Sequence, residues 1–196
     1  MAPTKAVAGN RCAAYGAGMC AKRLSSEDWI QAGFRALAEA GPSALRAEPL
    51  ARQLGTTKGS FYWHFTDVPA FHKTLLARWE ASCEEAATKS STSESTAIQR
   101  LRELGTSNRG TTDTSLQSAT LERAMRAWAK SDADAAIHVA RVDETRQRQL
   151  TDIMGEVGLS NPELTRILYA AQIGMEDLAP QERDSNEAAM GTLVDL

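Results

Sequence analysis

Ala51, Gly55 and Phe61 stand four and then six residues apart, between two short segments whose apolar residues recur with helical spacing. Where two short helices cross closely, the first needs a small residue at the crossing and the turn needs a residue free to adopt positive φ. A large apolar side chain must then lock the second helix down. The three residues meet those demands in order, and Leu50 and Leu54 supply the buried face of the first helix. The spacing predicts a helix-turn-helix. Its second helix starts near Thr57, Lys58 and Gly59 and runs into five consecutive ring side chains, Phe61, Tyr62, Trp63, His64 and Phe65. Five neighbouring rings on one helix cannot all face one core.

The flanking segments read as helices too. Ser25, with Asp28 three residues on, is a helix start signal. Ile30, Phe34, Leu37 and Ala38 then form an amphipathic stripe that ends at Gly41-Pro42. A short second helix opens near Glu48-Pro49, with proline in the first turn where its missing N–H does no harm, and stops at Gly55. A third is expected from about Thr57 to Phe65, and a fourth from near Asp67, with Phe71, Leu75, Trp79 and Cys83 down one side. Residues 90–96 (SSTSEST) and the stretch GTSNRGTTDTS read as loops. Three long helical patterns follow, at about 114–131, 133–157 and 160–179, with a weaker one from Asn186 to Leu196. Ala, Leu, Glu, Arg and Gln are abundant while Val and Ile are sparse, so the expected fold is all-α. The expected organisation is a flexible tail over 1–24, a helix-turn-helix domain over 25–72, and a helical bundle over 73–196.

Charge is uneven along the chain. Residues 1–75 carry 9 Lys/Arg against 5 Asp/Glu, a balance of +4, and the remainder carries 13 against 20, a balance of −7. A basic N-terminal part on an acidic body suits a nucleic-acid reader joined to a part that does not touch DNA. No apolar run reaches the ~18–20 residues that cross a bilayer, and the N-terminus has no secretory h-region, so a cytoplasmic protein with no membrane partner is expected. Cys12, Cys20 and Cys83 form neither a CxxC pair nor an even disulfide set and read as free thiols.

The helix-turn-helix geometry sorts the rings. Phe61 and Phe65, four apart, face the other helices, whereas Lys58, Gly59, Tyr62 and Trp63 lie on another face and point outward. Such a face suits the DNA major groove. Thr57 sits near its start, Lys58 can neutralise phosphate, and Gly59 admits close backbone approach. Tyr62 and His64 can donate hydrogen bonds to phosphate, and Trp63 can pack on a thymine methyl or a sugar. The alternative is that Tyr62 and Trp63 pack against the first or fourth helix.

The stretch LARQLGTTKGSFYWHF, preceded by AGFRALAEAGPSALR, resembles the N-terminal DNA-binding region of TetR-type transcriptional regulators, which commonly read G-T/S-aliphatic-Y-x-H-F here. The resemblance covers about residues 25–75, and a weaker one, in ERAMRAWAKSDADAAIHVARVDETRQRQL and GLSNPELTRILYAAQIGME, extends it over most of the chain beyond the tail. It implies a three-helix DNA-binding domain, a homodimer on a palindromic double-stranded operator, and a C-terminal domain for dimerisation and for a small-molecule inducer. Carried over by position, the reader residues are Thr57, Lys58, Gly59, Tyr62, Trp63 and His64, with Arg46 as a phosphate contact before the second helix. One position departs: the family usually places a phosphate-binding lysine two residues after HF, where this chain has Val68 followed by Pro69, so Lys22-Arg23 or Lys73 are the candidate substitutes.

In the body, Leu164, Ile167, Leu168, Ala171, Met175 and Leu178 form an apolar stripe, with Ala170 and Gly174 small enough for close helix approach. It reads as core, or, with the resemblance, as a dimer interface shared with Met190, Leu193 and Val194. Trp79, Met125, Trp128 and Tyr169 are the candidate ligand-lining side chains, against the plainer reading as core. Asp134, His138 and Asp143 could ligate a metal in principle, but Asp132 and Asp134 read better as helix-start acids, so neither metal nor cofactor is expected. Arg146 and Glu144 sit in a charge run read as a solvated face. No HExxH, phosphate-binding glycine loop, Gly-x-Ser-x-Gly or paired ExxH occurs, so no enzyme is expected; what the resemblance implies is a ligand-responsive repressor. The competing class is a helical small-molecule binder or enzyme whose helix-turn-helix spacing is fortuitous.

Overall fold

Ser25 starts the first helix as expected: its hydroxyl accepts from the Asp28 N–H, and the Asp28 carboxylate accepts from the Ser25 N–H at 2.7 Å, a reciprocal cap. In the computed structural model, which describes residues 24–91, 96–106 and 119–178 with isolated positions at 185, 188, 189, 191 and 192, eight α-helices follow one another. They are α1 Ser26–Ala40, α2 Ala47–Gln53, α3 Lys58–Tyr62, α4 Val68–Ser91, α5 Ala97–Thr106, α6 Ala119–Ala129, α7 Ala133–Glu156 and α8 Pro162–Leu178, with a 3₁₀ turn at Pro42–Ala44. No strand occurs among the described residues, so the fold is all-α.

Helix α1 is buried on more of its circumference than an amphipathic stripe requires. Trp29, Ala32, Gly33 and Ala36 join Ile30, Phe34 and Leu37 inside, because α1 packs against α2, α4 and α6 at once. Gly33 lies where α4 crosses: a Cβ built there would fall 2.5 Å from Leu75 Cδ1 and 2.7 Å from Phe71 Cζ, so a side chain here would force those buried residues to shift. Asp67 caps α4 by accepting from the Ala70 N–H at 2.7 Å. Phe71, Leu75, Trp79 and Cys83 are buried along α4 as their spacing predicts.

Two expectations about elements change. Helix α3 ends at Tyr62, three residues short of the expected Phe65; Trp63 and His64 form a tightened last turn whose N–H groups reach the Ser60 and Phe61 carbonyls. Helix α5, between the two loops, was given no element by the sequence pattern. It is a single amphipathic stretch started by Thr96, whose hydroxyl accepts from the Gln99 N–H, and anchored by buried Leu101. The tail, including Cys12, Cys20 and Lys22-Arg23, lies outside the described residues, as do most of both loops and Met190, Leu193 and Val194.

One core runs from α1 through α4 to α6 and α7, so residues 25–72 and 73–196 meet in shared packing and not across a solvated seam. A smaller cluster of Leu101, Leu150, Ile153, Met154, Leu168 and Tyr169 holds α5, α7 and α8 together.

Candidate nucleic-acid interface

The turn between α2 and α3 is closed by backbone bonds. The Thr56 N–H donates to the Ala51 carbonyl at 2.9 Å and the Gly55 N–H to Arg52 at 3.2 Å, with Gly55 at φ +64°. This is the double-bonded helix ending that needs a left-handed residue, which only glycine adopts without a steric cost of about 1–2 kcal/mol. Ala51 is buried at the crossing. The small residue, the turn and the locking ring therefore stand in the order the spacing predicts.

Helix α3 has five residues, too few for its own hydrogen bonds to hold it. Phe61 holds it instead. Its fully buried ring meets Trp29 of α1 at 5.3 Å, Phe65 at 5.2 Å and Phe71 of α4 at 5.4 Å. Burying such a ring contributes ~1.5–3 kcal/mol, and each edge-on pair about 0.5–1.5 kcal/mol more. With Phe61 and Phe65 inward, helical geometry turns the next ring positions out: Tyr62 is 47% and Trp63 87% exposed. Trp63 does not pack on α1 or α4, and Tyr62 touches its neighbour Phe61 edge-on at 5.3 Å.

Thr57, Lys58 and Gly59 are exposed at the start of α3, and the Thr57 hydroxyl makes no capping bond. His64 is half-buried beside Phe65. Arg46 is the exposed, extended residue before α2. Neither Arg46 nor Lys58 has an ion-pair partner among the described residues, although the nearby Arg52 has one in Glu48 at 3.6 Å. The face thus offers free cations for phosphate, a hydroxyl and a phenol for hydrogen bonds, and an indole for apolar contact. At the departing position, Val68 is half-buried against the core, and Lys73 is exposed on α4.

The body presents a different chemistry. Trp79, Met125 and Trp128 are buried in the main core, and Tyr169 in the smaller one. A surface groove between α4 and α7 is lined by Glu80, Cys83, Arg141 and Arg146 and by none of those four. Arg146, read from its charge run as solvated, instead makes a two-pronged pair with buried Glu122 at 2.5 and 2.9 Å; Glu144 does lie in solvent, with Arg148. Arg126 bridges Glu122 at 2.9 Å and Asp143 at 2.6 Å, and the Tyr169 hydroxyl donates to Asp143 at 2.7 Å. The network crosses α6, α7 and α8. Burial pushes the Glu122 carboxyl up, but Arg146 and Arg126 outweigh it and hold the group below the usual carboxylate range. Burial pushes the Tyr169 phenol up to about 12, and the Cys83 thiol, beside Arg146, also to about 12, far from a reactive thiolate. Asp132 caps α7 through the Ala135 N–H, His138 pairs with Glu80 of α4, and Asp143 belongs to the network. No grouping of three metal-binding side chains occurs among the described residues.

A locked short helix with an exposed cationic and aromatic face, set on a helical body, defines a helix-turn-helix DNA-binding regulator. Residues 30–67 match the family model described as bacterial regulatory proteins, tetR family. Solved structures share the fold over most of the chain. A TetR-family transcriptional regulator from Rhodococcus sp. is 15% identical with a TM-score of 0.70, covering 87% of this chain and 96% of its own. A transcriptional regulator from Rhodococcus sp. Rha1 is 16% identical at 0.72, covering 88% and 95%. One from Saccharomonospora viridis, in complex with choline, is 13% identical at 0.73, covering 87% and 95%. No curated protein sequence matches significantly. The matched segment is that of the tetR-family regulators, and the fold over most of the chain is the one their solved structures share. No helix among the described residues is long and apolar enough to cross a membrane.

Proposed function

We propose that the protein is a ligand-responsive repressor that binds a palindromic operator as a homodimer, with residues 25–72 as reader and 73–196 as body. The carrying observation is the outward pair Tyr62 and Trp63 beside Lys58, unpaired among the described residues, on a helix whose other side is locked by Phe61. A large indole left in water on a rigid element marks a recognition surface. Arg46, Thr57, Lys58, Gly59, Tyr62, Trp63 and His64 are the proposed DNA contacts.

Helix α8 supports the homodimer. Leu168 and Tyr169 face the body, whereas Ile167 and Leu178 are 59% and 88% exposed on a helix that also carries the small residues Ala170 and Gly174. Two reader helices on a two-fold axis must sit about one DNA turn, ~34–36 Å, apart. A ligand that prefers a different spacing of the two would weaken both half-sites together. The choline bound by the Saccharomonospora viridis relative supports a small-molecule effector here as well. Of the four candidate ligand residues, Tyr169 joins a polar network that a polar effector could engage, while Trp79, Met125 and Trp128 are the core behind it.

Titration of duplex DNA across salt concentrations tests the reader. Each phosphate contact contributes about 0.9 to the log-log salt slope. Lys58→Ala should weaken binding on all sequences and lower the slope by about one. An unchanged slope would remove Lys58 from the phosphate contacts.

A further inference from the structure

His72, in the second turn of α4, has two neighbours from different parts of the molecule. Its Nε2 lies 3.0 Å from the Leu45 carbonyl oxygen, 27 residues earlier, so the ring donates there. Its ring also stands edge-on to Trp128 of α6, at 5.2 Å between centroids and 82° between planes. Leu45 is fully buried, and its carbonyl belongs to the peptide that leads into Arg46, the residue before α2. Arg46 in turn accepts from the Leu50 N–H at 3.2 Å, so its backbone is fixed from the α2 side as well. A buried carbonyl needs a donor, and among the described residues no turn or loop backbone N–H donates to the Leu45 oxygen, so the His72 ring fills that place. Trp128 is itself buried and is held at the end of α6, where its carbonyl accepts from the Ser131 N–H and hydroxyl.

We propose that His72 is a positioning residue for DNA binding: backed by Trp128, it holds the Leu45 carbonyl and thereby sets where Arg46 presents its guanidinium. The arrangement runs from the body's α6 to the Arg46 cation at the edge of the reader without passing through α3. A shift of α6 against α4 displaces the His72 ring, and the Leu45–Arg46 peptide follows. The proposal rests on the reading of Arg46 as a phosphate contact.

The test is a cycle of full-length variants titrated with mixed-sequence duplex DNA across salt concentrations, each checked for folding by circular dichroism. His72→Phe keeps a ring against Trp128 and removes the donor. It should lower the salt slope by about one, as Arg46→Ala does, and the double variant should lose no more than either alone. His72→Gln, which restores an N–H, should recover the slope. If His72→Phe does not fold, Trp128→Leu takes its place in the same cycle, with the same expected merging with Arg46→Ala. A slope unchanged in these variants, or losses that add to that of Arg46→Ala, overturns the proposal. Absence of duplex binding by the unaltered protein at low salt would instead refute the DNA-binding reading itself.

Discussion

At Trp63 an indole stands in water two positions after a phenylalanine with no exposed surface at all. Among the described residues no packing requires that indole, so its removal should be visible in binding and nearly silent in stability. Trp63→Ala is expected to lower operator affinity or change the preferred sequence while leaving the melting temperature within about ±0.5 kcal/mol equivalent; thermal melting beside a DNA titration checks both. A sharp fall in melting temperature would make Trp63 a packing residue. This sorting of the rings was legible in the sequence because it depends only on near neighbours: a glycine four residues after a small residue fixes the turn, and helical spacing does the rest. Gly33 was not legible in the same way. Its necessity comes from Leu75 and Phe71, some forty residues away, and a glycine inside a helical pattern carries no mark of what crosses it.

Among the elements, α1, α2, α4, α7 and α8 lie close to where periodicity and capping residues place them, whereas α5 went unassigned because a ten-residue helix with few large apolar residues gives little pattern. The ion network across α6, α7 and α8 was hidden for a related reason. Arg126 and Glu122, four apart, look like an ordinary surface pair, and Arg146 looks like one charge in a solvated run. Their burial follows from partners 17 to 43 residues distant, which no local pattern encodes. Removing one member leaves a partly buried charge uncompensated, so Glu122→Gln should cost about 3 kcal/mol, the lower end for buried pairs because water reaches Arg146. The acid side carries a second signature. A carboxyl held below its usual range adds stability that is fully present above its unfolded value of about 4.3 and is lost as pH falls through its folded value. Urea unfolding at neutral and acid pH should therefore show the gap between native and Glu122→Gln protein narrowing at low pH; a gap independent of pH would contradict the ionised assignment.

At the scale of the whole molecule, reader and body share one apolar core, with α1 packed on α6 and α4 on α7. That continuity would give the proposed ligand signal a route to the proposed reader through packed side chains. Among the described residues Ile167 and Leu178 of α8 stay exposed, the surface on which the proposed homodimer would meet. The account stands or falls on what duplex the purified protein selects from random DNA at low salt. It predicts an enriched inverted repeat whose half-sites are centred about one helical turn, ~34–36 Å, or a multiple of it apart. Recovery of no preferred sequence, or of a single site without a symmetric mate, would contradict it.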